Sequence, residues 1–134
     1  MKNIVFGLLV LLLLSPPVSA ASAPATKVEI LYMNHGPLQA TLEQIKGVLA
    51  QYGDKVAVSW YDFESPGGEK FKAQKGITQH VPLMIWIDGK TAAKIVQKEV
   101  KFMGFPTGSG PAFFQGKWTM GDLKAALAQA TGNK

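Results

Sequence analysis

The sequence predicts one α/β domain built β-α-β-α-β-β-α, a central mixed sheet flanked by helices, and three observations carry that prediction. Lys27–Met33, with a nearly continuous apolar run, and Leu83–Ile87, apolar throughout, read as buried strands, and Lys55–Phe63, with Val56, Val58, Trp60 and Tyr61, as another strand. Between and after them lie segments with helical apolar spacing, the clearest at residues 38–52 and from Thr119 onward. Glycine and proline clusters punctuate the boundaries.

Taken in order, residues 1–20 read as an export signal. Lys2 supplies a positive start, Ile4–Leu14 an unbroken apolar run, Ser15-Pro16-Pro17 a helix break and Val18-Ser19-Ala20 a small-residue cleavage pattern, with Ala21-Ser22-Ala23 allowing a cut as late as residue 23. The apolar run is eleven residues, too short for a bilayer core of about 30 Å. The expectation is a periplasmic or secreted protein with no stable membrane insertion after cleavage. Residues 21–26 read as a linker and 27–134 as the domain, enough chain for one core of its own.

The first strand, with Val28, Ile30, Leu31 and Tyr32, runs into the turn Asn34-His35-Gly36-Pro37. Pro37 is placed to open a helix. Leu38, Leu42, Ile45, Leu49 and Tyr52 give that helix one apolar face, and Gly53 ends it. The second strand carries Val56, Val58, Trp60 and Tyr61. After Ser65-Pro66-Gly67-Gly68 a short helix is expected from about Glu69 to Lys75, stopped by Gly76. Pro82 opens the third strand, expected to be central, and Asp88-Gly89 is a turn signal. Glu99–Met103 reads as a fourth strand antiparallel to the third. Thr119 and Asp122 have capping-box spacing at the start of the last helix, which turns Leu123, Ala126, Leu127 and Ala130 to one side.

Composition narrows the function. The chain has no cysteine, so neither a disulfide staple nor a redox thiol exists, and packing alone must hold the fold. The net charge of +5 comes from lysine without a single arginine. Phosphate and base recognition favour the guanidinium fork, so a nucleic-acid partner is not expected.

The element order, the Gly-Pro turn after the first strand and the proline opening the third resemble the thioredoxin family over residues 27–130. Where that family carries Cys-Gly-Pro-Cys, this chain has His35-Gly36-Pro37-Leu38. Gly76-Ile77-Thr78-Gln79-His80-Val81-Pro82 is similar to the family's Gly-Ile-x-x-Ile-Pro segment with one residue more. The resemblance implies a thioredoxin-like fold, a cis Val81–Pro82 bond beside His35, and a groove in which relatives hold a chain by main-chain hydrogen bonds. That cleft, and every role assigned to it, requires Pro82 to be cis and near His35. It also places Glu29 at the position of a buried acid, although an exposed strand glutamate fits the residues equally well. Disulfide exchange needs an attacking thiolate and a leaving thiol, and His35 and Leu38 replace neither. No nucleophile–base pair of another kind is recognisable, so no enzyme activity and no cofactor are expected.

The expected function is that of a redox-inactive module of the cell envelope binding a protein or peptide in the groove His35, Gly36, Pro37, Leu38, His80, Val81 and Pro82. Residues 104–118, with four glycines and two prolines, form a loop where the family has a short turn. Its Phe105, Phe113, Phe114 and Trp118 are candidate recognition rings or, alternatively, a cover over the core. His35 sits at a helix start, where the dipole disfavours a positively charged ring. Its plain reading is a turn residue. The alternative function is copper or zinc binding by His35 and His80, with Met33 and Met84 as soft donors if they approach.

Overall fold

The computed structural model describes residues 22–132. The export signal and its cleavage site fall outside that range except for Ser22 and Ala23. No helix among the described residues is long and apolar enough to cross a membrane.

The described residues are mixed α/β, with a three-stranded mixed sheet, a two-stranded ribbon and three α-helices. Strand β1 (Thr26–Tyr32) leads to α1 (Gly36–Ala50), β2 (Val56–Asp62), α2 (Pro66–Lys75), β3 (Leu83–Ile87), β4 (Ala92–Ile95), β5 (Lys98–Lys101) and α3 (Met120–Ala130). In the sheet the order is β2-β1-β3. β1 runs parallel to β2, from Thr26 beside Val56 to Tyr32 beside Asp62. It runs antiparallel to β3, Val28 facing Ile87 and Tyr32 facing Leu83. β1, not β3, is therefore the middle strand, and Thr26, assigned to the linker by sequence, is already a buried strand residue.

Alternation along the strands sorts the core into two layers. Val28, Ile30, Leu83, Ile85 and Ile87 pack against Leu38, Leu42 and Ile45 of α1 and Leu123 and Leu127 of α3. Leu31, Met84 and Trp86 face the other way, onto Phe71 of α2.

The region after β3 departs from expectation. Asp88 and Gly89 both have positive φ, and Ile87 and Lys90 exchange both main-chain hydrogen bonds around them, as a two-residue hairpin turn requires. The stretch after it adds an unexpected strand, β4, and β5 pairs with β4 rather than with β3. Contact with β3 falls instead to the residues after β5. Phe102 O accepts from Ile85 N–H at 3.1 Å, Gly104 N–H donates to Leu83 O at 2.8 Å, and Met103 lies opposite Met84.

The helix ends follow their capping chemistry. α2 starts at Pro66, earlier than expected, because the Ser65 hydroxyl accepts from Gly68 N–H at 2.9 Å. Gly68 allows this: a Cβ there would collide with the Asp62 carbonyl. Gly76, with φ of 67°, closes the helix. Thr119 and Asp122 form the reciprocal capping box that their spacing predicts.

Candidate functional site

The candidate site lies at the C-terminal end of β1, where three connecting segments converge. The first is Met33–Leu38. His35 is extended at the start of α1, and its side chain caps nothing. Its Nε2 lies 3.6 Å from Glu64 Oε1, with both side chains more than half exposed, a pairing that holds little energy in water. Leu38 points inward and belongs to the core.

The second segment is Gln79–Pro82. Pro82 is buried, and its carbonyl accepts from Met33 N–H at 2.9 Å, which anchors the segment to the end of β1. No described peptide bond is cis, so the Val81–Pro82 bond is trans. The trans form is the intrinsically favoured one by about 0.5–1 kcal/mol. Val81 N–H is turned back onto Gln79 O at 3.1 Å, so it is not offered to an incoming strand. The cis-proline cleft with main-chain pairing beside it is thereby overturned. A cavity walled by many of the same residues stands in its place.

The third segment is the 104–118 loop, an organised structure. Phe105 N–H donates to Phe114 O at 2.8 Å and Gly116 N–H returns to Phe105 O at 2.6 Å. The Gln115 side chain bridges Gly108 N–H and Gly110 O. The four rings divide. Phe105 and Trp118 are core residues, 3% and 0% exposed, and the Trp118 indole N–H donates to Gly104 O at 3.1 Å. Their assignment to an exposed recognition surface is corrected: both cover the core from beneath the loop, Phe105 also forming part of the wall of the cavity there. Phe113 stands 91% exposed and Phe114 38%, their rings edge to face at 5.9 Å.

Together the segments enclose an apolar cavity of about 130 Å³. Met33, His35, Pro37 and Leu38 supply one wall, His80 and Pro82 the second, and Phe105, Pro111 and Phe114 the third. A second hollow of about 210 Å³ adjoins it, sharing His80, Pro82 and Phe114 and adding Val81 and Phe113. The His80 ring sits between Phe63 at 5.8 Å and Phe114 at 6.5 Å. Gly36 lies in the first turn of α1 and lines neither hollow.

Pro111, Phe63 and Glu64 are site residues that sequence reasoning missed. The last two follow directly on β2, and the available signal was topological: the ends of adjacent parallel strands open on one crevice. Met33 joins His35 and His80 around the cavity, whereas Met84 faces α2 across the sheet. The proposed set of four soft and nitrogen donors is therefore split. Among the described residues no three His, Cys, Asp or Glu side chains cluster as metal ligands.

Glu29 is buried, resolving the two readings of that residue. Burial pushes its carboxyl up, but hydrogen bonds and charge from Lys27 (2.8 Å) and Lys75 (2.9 Å) outweigh this and hold it below its ordinary value.

The chain matches no protein-family model, no curated protein and no solved structure.

Proposed function

We infer that this chain is an exported, thioredoxin-like module of the cell envelope that has given up thiol–disulfide chemistry and binds a protein or peptide partner. The observation that carries the reading is the apolar cavity at the end of β1, with the exposed Phe113 beside it. An apolar hollow edged by aromatic rings and two imidazoles suits an apolar side chain of a partner, its neighbours held by ring contacts. The fold assignment is supported by the order β2-β1-β3, by β1 lying parallel to β2 and antiparallel to β3, and by Phe102–Gly104 bonding to the far side of β3. The trans Pro82 departs from the family, so recognition rests on side chains rather than on strand addition. A chain without cysteine has no thiolate with which to exchange disulfides.

The test is capture from an envelope extract with crosslinking, comparing the wild type with Phe113→Ala and Phe114→Ala. Loss of the same captured band in both variants, at unchanged melting temperature, supports the reading. An identical capture profile for all three proteins overturns it.

Copper binding is the second reading, favoured by one observation: Met33, His35 and His80 line the same cavity, a thioether and two imidazoles suited to copper(I). Titration with copper(I), copper(II) and zinc decides it. Micromolar or tighter binding abolished by His35→Ala supports a metal site, and no binding removes it.

A further inference from the structure

β2 is the outer strand of its sheet, and its main chain shows which groups face away from β1. Phe63 N–H donates to Tyr32 O at 2.7 Å, so Phe63 and, at every second residue, Tyr61, Ser59 and Ala57 turn their N–H and C=O toward β1. Val56, Val58, Trp60 and Asp62 turn theirs outward. Two of these outward groups are spent locally: Val56 N–H donates to Gly53 O, and Asp62 O accepts from Ser65 N–H and its hydroxyl. The C=O of Val56, both groups of Val58 and Trp60, and the N–H of Asp62 remain without a partner among the described residues. The strand also lacks the usual protections of an edge. From Val56 to Tyr61 it has no proline and no charged side chain, and its pairing with β1 has no bulge.

We propose that β2 pairs antiparallel with β2 of a second copy, about a two-fold axis through Ser59. In this register Ser59 faces Ser59, Val58 faces Trp60 and Val56 faces Asp62. Every free group then meets a free group. Val58 N–H reaches Trp60 O, Trp60 N–H reaches Val58 O, and Asp62 N–H reaches Val56 O, each twice by symmetry. The spent groups, Val56 N–H and Asp62 O, fall opposite one another. Moving the axis to Val58 or to Trp60 sets a spent group against a free one and leaves others unmatched. A strand from an unrelated protein has no reason to carry the same pattern of spent and free groups, whereas a second copy carries it by identity, as an isologous interface demands.

The side chains agree with this register. Val58 comes beside the copy's Trp60 on the α1 face, and Ala57 beside Tyr61 on the other, the first being a favoured branched–aromatic pair. The copy would also cover the hollow of about 250 Å³ that Leu49, Val56, Val58 and Trp60 line beside β2. The result is one continuous six-stranded sheet. This inference does not depend on the groove.

The absence of native cysteine makes the test clean. Facing residues of a non-hydrogen-bonded antiparallel pair have Cα atoms about 4.5 Å apart, within disulfide reach. Ser59→Cys is therefore expected to crosslink to itself under mild oxidation, and Ala57→Cys, displaced four residues from its own mate, is not. Sedimentation of the purified protein from micromolar to millimolar concentration is expected to show a monomer–dimer equilibrium. Val58→Pro should abolish it, because the proline removes an outward N–H and leaves the pairing with β1 intact. A protein monomeric throughout that range overturns the proposal. So does Ser59→Cys crosslinking no faster than the exposed Lys98→Cys, or a folded Val58→Pro that still dimerises.

Discussion

Lys75 of α2 donates to the buried carboxylate of Glu29 on β1 at 2.9 Å, while its ammonium also lies 5.3 Å from the Phe71 ring and 5.5 Å from that of Trp86. The pair joins the helix to the middle of the sheet. Burial opposes the charge on Glu29, but Lys75 and Lys27 win, so its folded-state value lies below 4.5. Its stabilising contribution is then complete above pH 4.5 and is lost as pH falls through the lower folded value. Melting temperature followed from neutral pH downward should fall more steeply in the wild type than in Glu29→Gln once below that point. Parallel curves would mean that the ion pair is too solvated to matter.

The two sets of rings in the 104–118 loop should separate cleanly in stability. Phe105 is 3% exposed, so Phe105→Ala is expected to cost about 3–5 kcal/mol in denaturant unfolding. Phe113 is 91% exposed, and Phe113→Ala should stay within about 0.5 kcal/mol of the wild type. Comparable losses in both would place Phe113 in the core and remove it from the groove.

The contrast marks where the sequence stopped being legible. Strands β1 to β3, α1, the Asp88-Gly89 turn and the capping box of α3 were readable because periodicity or turn chemistry writes them locally. Burial within the loop was not, since a segment without a repeat has no inward and outward phase. There the partition follows from close backbone approaches: a Cβ on Gly110 would strike the Phe105 ring, and one on Gly104 the Phe114 carbonyl. β4 was missed because Ala92-Ala93-Lys94-Ile95 carries little strand propensity, and its pairing with β5 supplies what its residues do not. The start of α2 was misplaced because Gly67-Gly68 resembles a turn, while the Ser65 cap and Pro66 already mark a helix. The candidate groove was half legible. Its residues were named, but the isomer of Pro82 depends on how the preceding loop reaches β3, which no dipeptide encodes.

Gly116 tests how tightly that loop is built. A Cβ there would collide with the Met103 carbonyl and come within 2.8 Å of the Trp118 ring. Neither can yield cheaply: Met103 lies opposite Met84 of β3, and Trp118 is fully buried. Gly116→Ala should therefore lose about 1–3 kcal/mol by overpacking, measured as a lower denaturation midpoint at unchanged slope. An unaffected midpoint would mean that the loop shifts freely and that the cavity wall it forms is soft.

Val96 offers the opposite opportunity. It occupies the first of the two residues linking β4 to β5, with φ of 56° and 82% exposure. A β-branched side chain in the left-handed region is strained, and nothing is gained from burying it. Tight hairpins prefer glycine or asparagine where φ is positive. Relief of the strain exceeds the added flexibility of the unfolded chain, so Val96→Gly should stabilise by about 1 kcal/mol, with Val96→Asn close behind. The gain should appear as a melting temperature higher by a few degrees. A loss in both variants would show that Val96 makes a contact in solution that holds the hairpin, and the exposed turn would then have to be reassigned as part of an interface.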